Sequence, residues 1–209
     1  ARWAFASGGL GNVVIARDLA GTVPEDADLR RLVRSLASGY PDTWTFAIDG
    51  IVGASPETLV TVRGGEVSAR VLAGTRPRGA DADEDTAIVA DLASNPKDVD
   101  EHAYAVRSVV DALRPHTSAL ASAEQPFTLK LPNLWHLATD VEGVLSGVAS
   151  ALDMVQALHP TAAVAGTPTP SALAAIRRIE PFDRGRYAGP VGWSEAHGDG
   201  EWAAAPRAA

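Results

Sequence analysis

Cysteine is absent from all 209 residues, which excludes disulfides, thiolate metal sites and a cysteine nucleophile. No apolar run approaches the roughly 18 residues of a membrane span, and no signal-peptide pattern is seen. A cytoplasmic chain with no membrane attachment is therefore the default expectation. Lysine is scarce: Lys97 and Lys130 are the only two, and the remaining positive charge is arginine. Basic excess is lacking as well. The formal net charge of −8 argues against a nucleic-acid partner or a basic membrane-facing surface. An anionic substrate would have to meet local arginine or a metal ion. Internal repeats, coiled-coil heptads, low-complexity tracts and a convincing linker are also missing, so a single domain over residues 1–209 is expected. The chain opens on Ala1 rather than Met, as one with an upstream part missing or processed would.

What is present reads as an ordinary globular composition, with 46% hydrophobic residues, 21% charged and a mean hydropathy near zero. That is enough for one large domain with a real core. Short alternating runs predict strands over Thr43 to Asp49, Ile51 to Ala54, Leu59 to Arg63 and Glu66 to Leu72, with Gly64-Gly65 as a hairpin turn. Further strands are expected over Val13 to Arg17, Phe127 to Leu131, Leu134 to Val144, Gly189 to Trp193 and Glu201 to Ala205. Helical spacing covers Asp28 to Ser38, Ala82 to Leu92, Asp98 to Leu113, Ser150 to Leu158 and Ser171 to Ile179, the last with Ser171 as its cap. The pattern is α+β, with large antiparallel sheets and helices packed outside. The glycine cluster Gly8-Gly9-Leu10-Gly11 precedes its strand instead of following one, so it is not a nucleotide-binding loop.

The stretch from Val71 to His102 organises the rest. It runs from an apolar strand through a Gly-Thr turn and an acidic linker to a helix carrying Asp98, Glu101 and His102. Val99, Ala103, Val106, Val110 and Leu113 predict its core-facing stripe. Asp98 and Glu101, three residues apart, point about 60° from one another on a helix, so both can face one small target. Such a pair suits a hard cation such as Mg²⁺. A solvated acidic first turn, favoured by the helix dipole, explains the same letters. At Ser55-Pro56-Glu57 the proline turns the chain and leaves Glu57 at a strand edge.

Six blocks then resemble the chorismate-utilising enzymes, the family of isochorismate, salicylate, anthranilate and aminodeoxychorismate synthases. They are GASPETLV (Gly53 to Val60), LAGTRPRG (Leu72 to Gly79), KDVDEH (Lys97 to His102), LWHLAT (Leu134 to Thr139), HPTAAVAGTP (His159 to Pro168) and DRGRYAGPVGW (Asp183 to Trp193). They stand in the family's order and cover nearly the whole chain. The last two blocks resemble the isochorismate synthase branch. The anthranilate branch carries Gly-Ala-Pro-Lys where this chain has Gly166-Thr167-Pro168, and aminodeoxychorismate synthases carry lysine at the position of Ala73.

The resemblance implies large antiparallel sheets layered between helices, with a deep cleft at their meeting, and a role in menaquinone or siderophore supply. It implies chorismate and isochorismate as substrate and product, with Mg²⁺ as cofactor. Water adds at one ring carbon of chorismate while the hydroxyl on another leaves. By the same resemblance Glu57 is the proton donor, His136 lines the ring, and Gly74 and Thr75 let the backbone approach the ligand. Tyr187 and Arg207 contact a substrate carboxylate, and Asp98 and Glu101 hold the metal. An exposed turn carboxylate, a packed strand histidine and a surface arginine are the plain alternatives for Glu57, His136 and Arg207.

Three departures bear on activity. The branch places its lysine general base where this chain has Asn12, and a carboxamide orients a water without taking its proton. Pro206 interrupts a segment that continues as a strand in relatives. The chain also ends at Ala209, and a C-terminal segment bearing a further metal-binding carboxylate and a substrate-binding lysine is expected to be missing. Alongside an impaired isochorismate synthase stand two alternatives: a non-catalytic relative that binds chorismate-like acids or a partner protein, and a sister enzyme in which Asn12 places ammonia or water, as in the anthranilate synthases.

Overall fold

The structure is a computed structural model and describes residues 10–205. In chain order its strands are β1 (Asn12–Val13), β2 (Trp44–Ile48), β3 (Ile51–Ser55), β4 (Thr58–Arg63), β5 (Glu66–Pro77), β6 (Thr117–Ser122), β7 (Phe127–Lys130), β8 (Leu134–Leu145), β9 (Gly166–Thr167), β10 (Pro190–Ser194) and β11 (Gly200–Ala204). The α-helices are α1 (Arg30–Gly39), α2 (Ala82–Ser94), α3 (Pro96–Leu113), α4 (Ala151–Leu158) and α5 (Thr169–Ile179). Among the described residues, seven strands form one sheet in the order β10-β11-β4-β5-β8-β6, with β7 also paired to β8. Every pairing is antiparallel, including those of the small sheets β2-β3 and β1-β9. The α+β architecture expected from the sequence is the one adopted.

Alternation along the strands decides which face of the large sheet is covered. Val62, Val67, Ala69, Val71 and Val141 turn inward and share one core with Ala105, Val109 and Leu113 of α3 and Met154, Val155 and Leu158 of α4. Fully burying each large side chain of that core contributes about 1.5–3 kcal/mol. Arg70 and Asp140 stand between these inward positions and pair with each other on the more open face. Gly64 and Gly65, with φ of +58° and +87°, close the hairpin between the paired residues Arg63 and Glu66. So tight a turn requires positive φ, which glycine adopts without steric cost.

Helix α3 starts where the sequence supplies both a cap and a proline. The Asn95 side chain accepts from the backbone N–H of Lys97 and Asp98 at 3.1 and 3.4 Å, and Pro96 occupies the first turn. Its buried face is Asp98, His102, Ala105, Val109 and Leu113. This corrects the stripe expected from apolar spacing, in which only Leu113 agrees; Val106 and Val110 lie on the flank of the core, partly buried. Hydrophobic periodicity overlooks Asp98 and His102 because they are polar, yet both find partners inside.

Three more local expectations change. Thr117 to Ser122, outside every strand expected from the sequence, is β6 and pairs along Val141 to Leu145. Helix α5 begins at Thr169 behind Pro168 and has no side-chain cap, so Ser171 sits within its first turn. Proline is suited to that first turn because its missing N–H would be unpaired there anyway. The strand expected over Val13 to Arg17 is cut short, because past Val13 the backbone bonds to a loop and a side chain instead of a ladder: Val14 N–H donates to the Ala165 carbonyl and Ala16 N–H to the Glu180 carboxylate.

Candidate active site

A bulge between β5 and β8 shapes the centre of the site. Ala73 pairs with Leu137 and Thr75 with His136, leaving Gly74 as the extra residue. Its φ is +78°, and a Cβ there would meet Leu137 and the Asp98 side chain at 3.4–3.5 Å. His102 braces the bulge from α3. Its Nδ1 lies 3.1 Å from the Ala73 carbonyl, which only accepts, so Nδ1 carries the proton. Nε2 therefore accepts from the Thr139 hydroxyl at 2.7 Å. Burial pushes this imidazole below its ordinary range, and the ring stands neutral in the core. Beyond the bulge, the Thr75 hydroxyl meets His136 Nδ1 at 2.9 Å, with His136 itself buried.

A groove of about 450 Å³ opens beside the strand that leads into this bulge, a size common for small-molecule sites. One wall is Gly11, Asn12 and Thr167; the other is Asp100, Glu101, Tyr104 and Ala105; Leu72, Ala73, Ala162 and Ala163 complete the lining. Asn12 reaches it because β1 pairs with β9, opposite Thr167. That small ladder is locked by a buried clamp. Arg184 binds the Glu180 carboxylate through two nitrogens and donates to the carbonyls of Val164 and Val14 at 3.0 and 2.7 Å. Glu180 also accepts from Ala16 N–H at 2.7 Å. The Arg184 guanidinium holds the Glu180 carboxyl below the usual carboxylate range.

Glu57 lines a narrower cleft with Thr58, Val71, Val109 and Thr161. The cleft and the groove share Ala105, Ala162 and Ala163, so the expected proton donor and the Asn12 position lie on adjoining hollows. The Glu57 main chain is fixed on both sides: its N–H donates to the Ser55 hydroxyl at 3.2 Å and its carbonyl accepts from Ala204 N–H at 3.1 Å. Tyr187 lies at the turn before β10, with the Arg184 guanidinium 5.9 Å from its ring centre. Arg207 and Pro206 lie outside the described residues.

The two acids of α3 do not face one target. Asp98 is buried at 5% exposure and accepts from both terminal nitrogens of Arg76. Asp91 stands 3.6 Å from the same guanidinium. Glu101 turns to the groove and meets the exposed Lys97 at 3.8 Å. The reason is local: Asp98 falls on the buried face of α3 with His102, and β5 presents Arg76 to it. A magnesium-like cation takes hard oxygen donors and keeps positions for water or substrate. Among the described residues no group of three or more His, Asp or Glu gathers for one. The donors fit a cation held by Glu101 and by oxygens of a bound acid, and do not fit one shared with Asp98. Sequence reasoning passes over Arg76, Arg184 and Glu180, although both arginines lie inside the matched blocks LAGTRPRG and DRGRYAGPVGW.

The chain is similar to known proteins over nearly its whole length. A family model described as "Chorismate binding enzyme" matches residues 2–209. The isochorismate synthase DhbC of Bacillus subtilis is 43% identical over 210 residues, covering 95% of this chain and 53% of that protein. The menaquinone-specific isochorismate synthase MenF of Escherichia coli superposes with a TM-score of 0.77 at 27% identity, over 85% of this chain and 42% of that one. Anthranilate synthase component I of Streptococcus pneumoniae TIGR4 gives the same TM-score at 28% identity, over 87% and 41%. The chain spans about half the length of the curated relatives it matches. No described helix is long and apolar enough to cross a membrane.

Proposed function

The chain belongs to the chorismate-binding enzyme family, and from that premise we propose that its groove carries out isochorismate synthase chemistry, adding water at one ring carbon of chorismate as the hydroxyl on another departs. The observation that carries this is the meeting of Asn12 and Glu101 on one groove, with Glu57 on the cleft that adjoins it. Glu57 gives its proton to the departing hydroxyl. Asn12 orients the attacking water through its amide but cannot take its proton, which passes to bulk water instead, so this step is slow. Gly74 and Thr75 hold the backbone against the ligand, His136 lines the ring, and Tyr187 and Arg207 receive a carboxylate. Glu101 would hold Mg²⁺, which would offset negative charge on the substrate in a chain that is itself acidic. Asp98 serves the site indirectly by anchoring Arg76 beside the bulge.

A second assignment, a relative that binds chorismate without converting it, is favoured by the Asn12 amide alone. Calorimetric titration of chorismate into the chain, with and without Mg²⁺, tests what the two share. Saturable binding that strengthens with Mg²⁺ is expected; no binding under either condition contradicts both. Isochorismate in the incubated mixture separates the enzyme from the binder.

A further inference from the structure

Among the buried polar groups left unused by the chemistry above, Thr161 has the clearest surroundings. It is 8% exposed, and its hydroxyl has no hydrogen-bond partner among the described residues. Its main chain does not share this isolation, since the Thr161 carbonyl accepts from Val164 and Ala165 N–H at 3.0 Å each. A hydroxyl buried without a partner bears its whole desolvation penalty. Yet Thr161 does not face solid packing. It lines a cleft of about 10 Å³ together with Glu57, and the rest of that lining includes Leu59, Val71, Ala105 and Val109. Room for one water begins at about 10–15 Å³, provided that at least two polar groups meet it. Thr161 and Glu57 both line this otherwise largely apolar cleft, one with a hydroxyl and the other with a carboxyl to offer.

We propose that Thr161 holds a single ordered water in this cleft and through it fixes the orientation of the Glu57 carboxyl, which makes Thr161 a positioning residue for the proton donor. The inference rests on the assignment of Glu57 as that donor. The water accepts from the Thr161 hydroxyl and donates to a Glu57 oxygen. The other carboxyl oxygen is left toward Ala105, Ala162 and Ala163, where the cleft meets the groove. A donor carboxyl positioned this way loses no orientational freedom when substrate arrives.

A crystal structure of the chain as it stands, at a resolution that shows waters, tests this without any turnover. The expected result is a water within about 2.6–3.2 Å of both Thr161 Oγ1 and a Glu57 carboxyl oxygen. A dry cleft, or a water that reaches Thr161 but not Glu57, overturns the proposal. Thr161→Val keeps the shape and removes the hydroxyl; it is expected to expel the water, move Glu57 to another rotamer and lower the Tm by a few degrees. Thr161→Ser is expected to restore both water and rotamer. An unchanged Glu57 rotamer in Thr161→Val, or a Tm above that of the parent, marks the hydroxyl as a mere orphan and overturns the proposal. Should Thr161→Val not fold, the parent and Thr161→Ser structures decide. None of these measurements uses chorismate, so failure of the isochorismate synthase assignment would be seen separately.

Discussion

Asp98 of α3 and Arg76 of β5 form a two-point ion pair, with Nη1 to Oδ1 at 3.2 Å and Nη2 to Oδ2 at 2.5 Å. The pair ties the first turn of the helix to the strand just past the Gly74 bulge. It also takes Asp98 out of competition for a cation, which leaves Glu101, one turn on, as the expected ligand that lines the groove, beside Asp100.

Asp98→Asn should therefore act on the fold and not on the metal. The expected outcome is a lower Tm, with Mg²⁺-dependent chorismate affinity kept within about threefold, since removing one partner of a buried pair costs stability. Differential scanning calorimetry and a chorismate titration check the two halves. A collapse of Mg²⁺ dependence with Tm unchanged would restore Asp98 as a ligand.

Glu101→Gln should do the reverse. Removing a hard anionic donor is expected to weaken Mg²⁺-dependent chorismate binding by about tenfold or more, since even outer partners of metal ligands are worth about 10–100-fold. The fold should be unaffected, because the Lys97 pair is exposed. Calorimetry with matched Mg²⁺ concentrations reads the effect; equal affinity would return Glu101 to plain surface charge.

Asn12→Lys supplies the proton acceptor that the amide lacks. Turnover of chorismate to isochorismate, followed by HPLC, is expected to rise by about 10²-fold, the lower end of what a positioned acid or base contributes. If the parent and the Asn12→Lys variant turn over equally fast, the base is another group of the groove.

The clamp at Glu180 predicts an acid limb. Its carboxyl titrates below the ordinary range because Arg184, first, and then the Ala16 N–H favour the charged form. Stability from this group is therefore fully present above the unfolded carboxylate range, near about pH 4.3, and is lost as pH falls through the lower folded value. Tm measured against pH should drop on that limb, and Glu180→Gln should lower the Tm at pH 7 and flatten the drop. A Glu180→Gln chain with the parent's acid limb would place the effect on other carboxylates.

Much of this was legible from spacing alone. The Gly64-Gly65 hairpin, strand β8, the first half of β5, and helices α3 and α4 follow from alternation, helical periodicity and capping letters that act within a few residues of one another; the expected Gly-Thr turn is instead a bulge within β5, which runs on to Pro77. Strand β6 was not, because Thr117 to Ser122 has little pattern of its own and owes its conformation to the β8 edge. The buried face of α3 was displaced for a similar reason: Asp98 and His102 are admitted to the core by Arg76, Ala73 and Thr139, partners that no local window contains. Block matching brought Asn12, Glu57 and Glu101 forward, yet spacing paired Asp98 with Glu101 where the folded chain separates them. The Arg184–Glu180 clamp is hard to see in the letters because two opposite charges four apart look like an ordinary exposed helix pair, whereas its worth lies in contacts to Val14 and Val164.

The most direct test is product analysis by HPLC after the chain is incubated with chorismate and Mg²⁺, beside Glu57→Gln under the same conditions. Slow formation of isochorismate by the parent and none by the variant is the predicted result. No isochorismate from the parent, or equal amounts from both, would contradict the assignment of Glu57 as proton donor in an isochorismate synthase site.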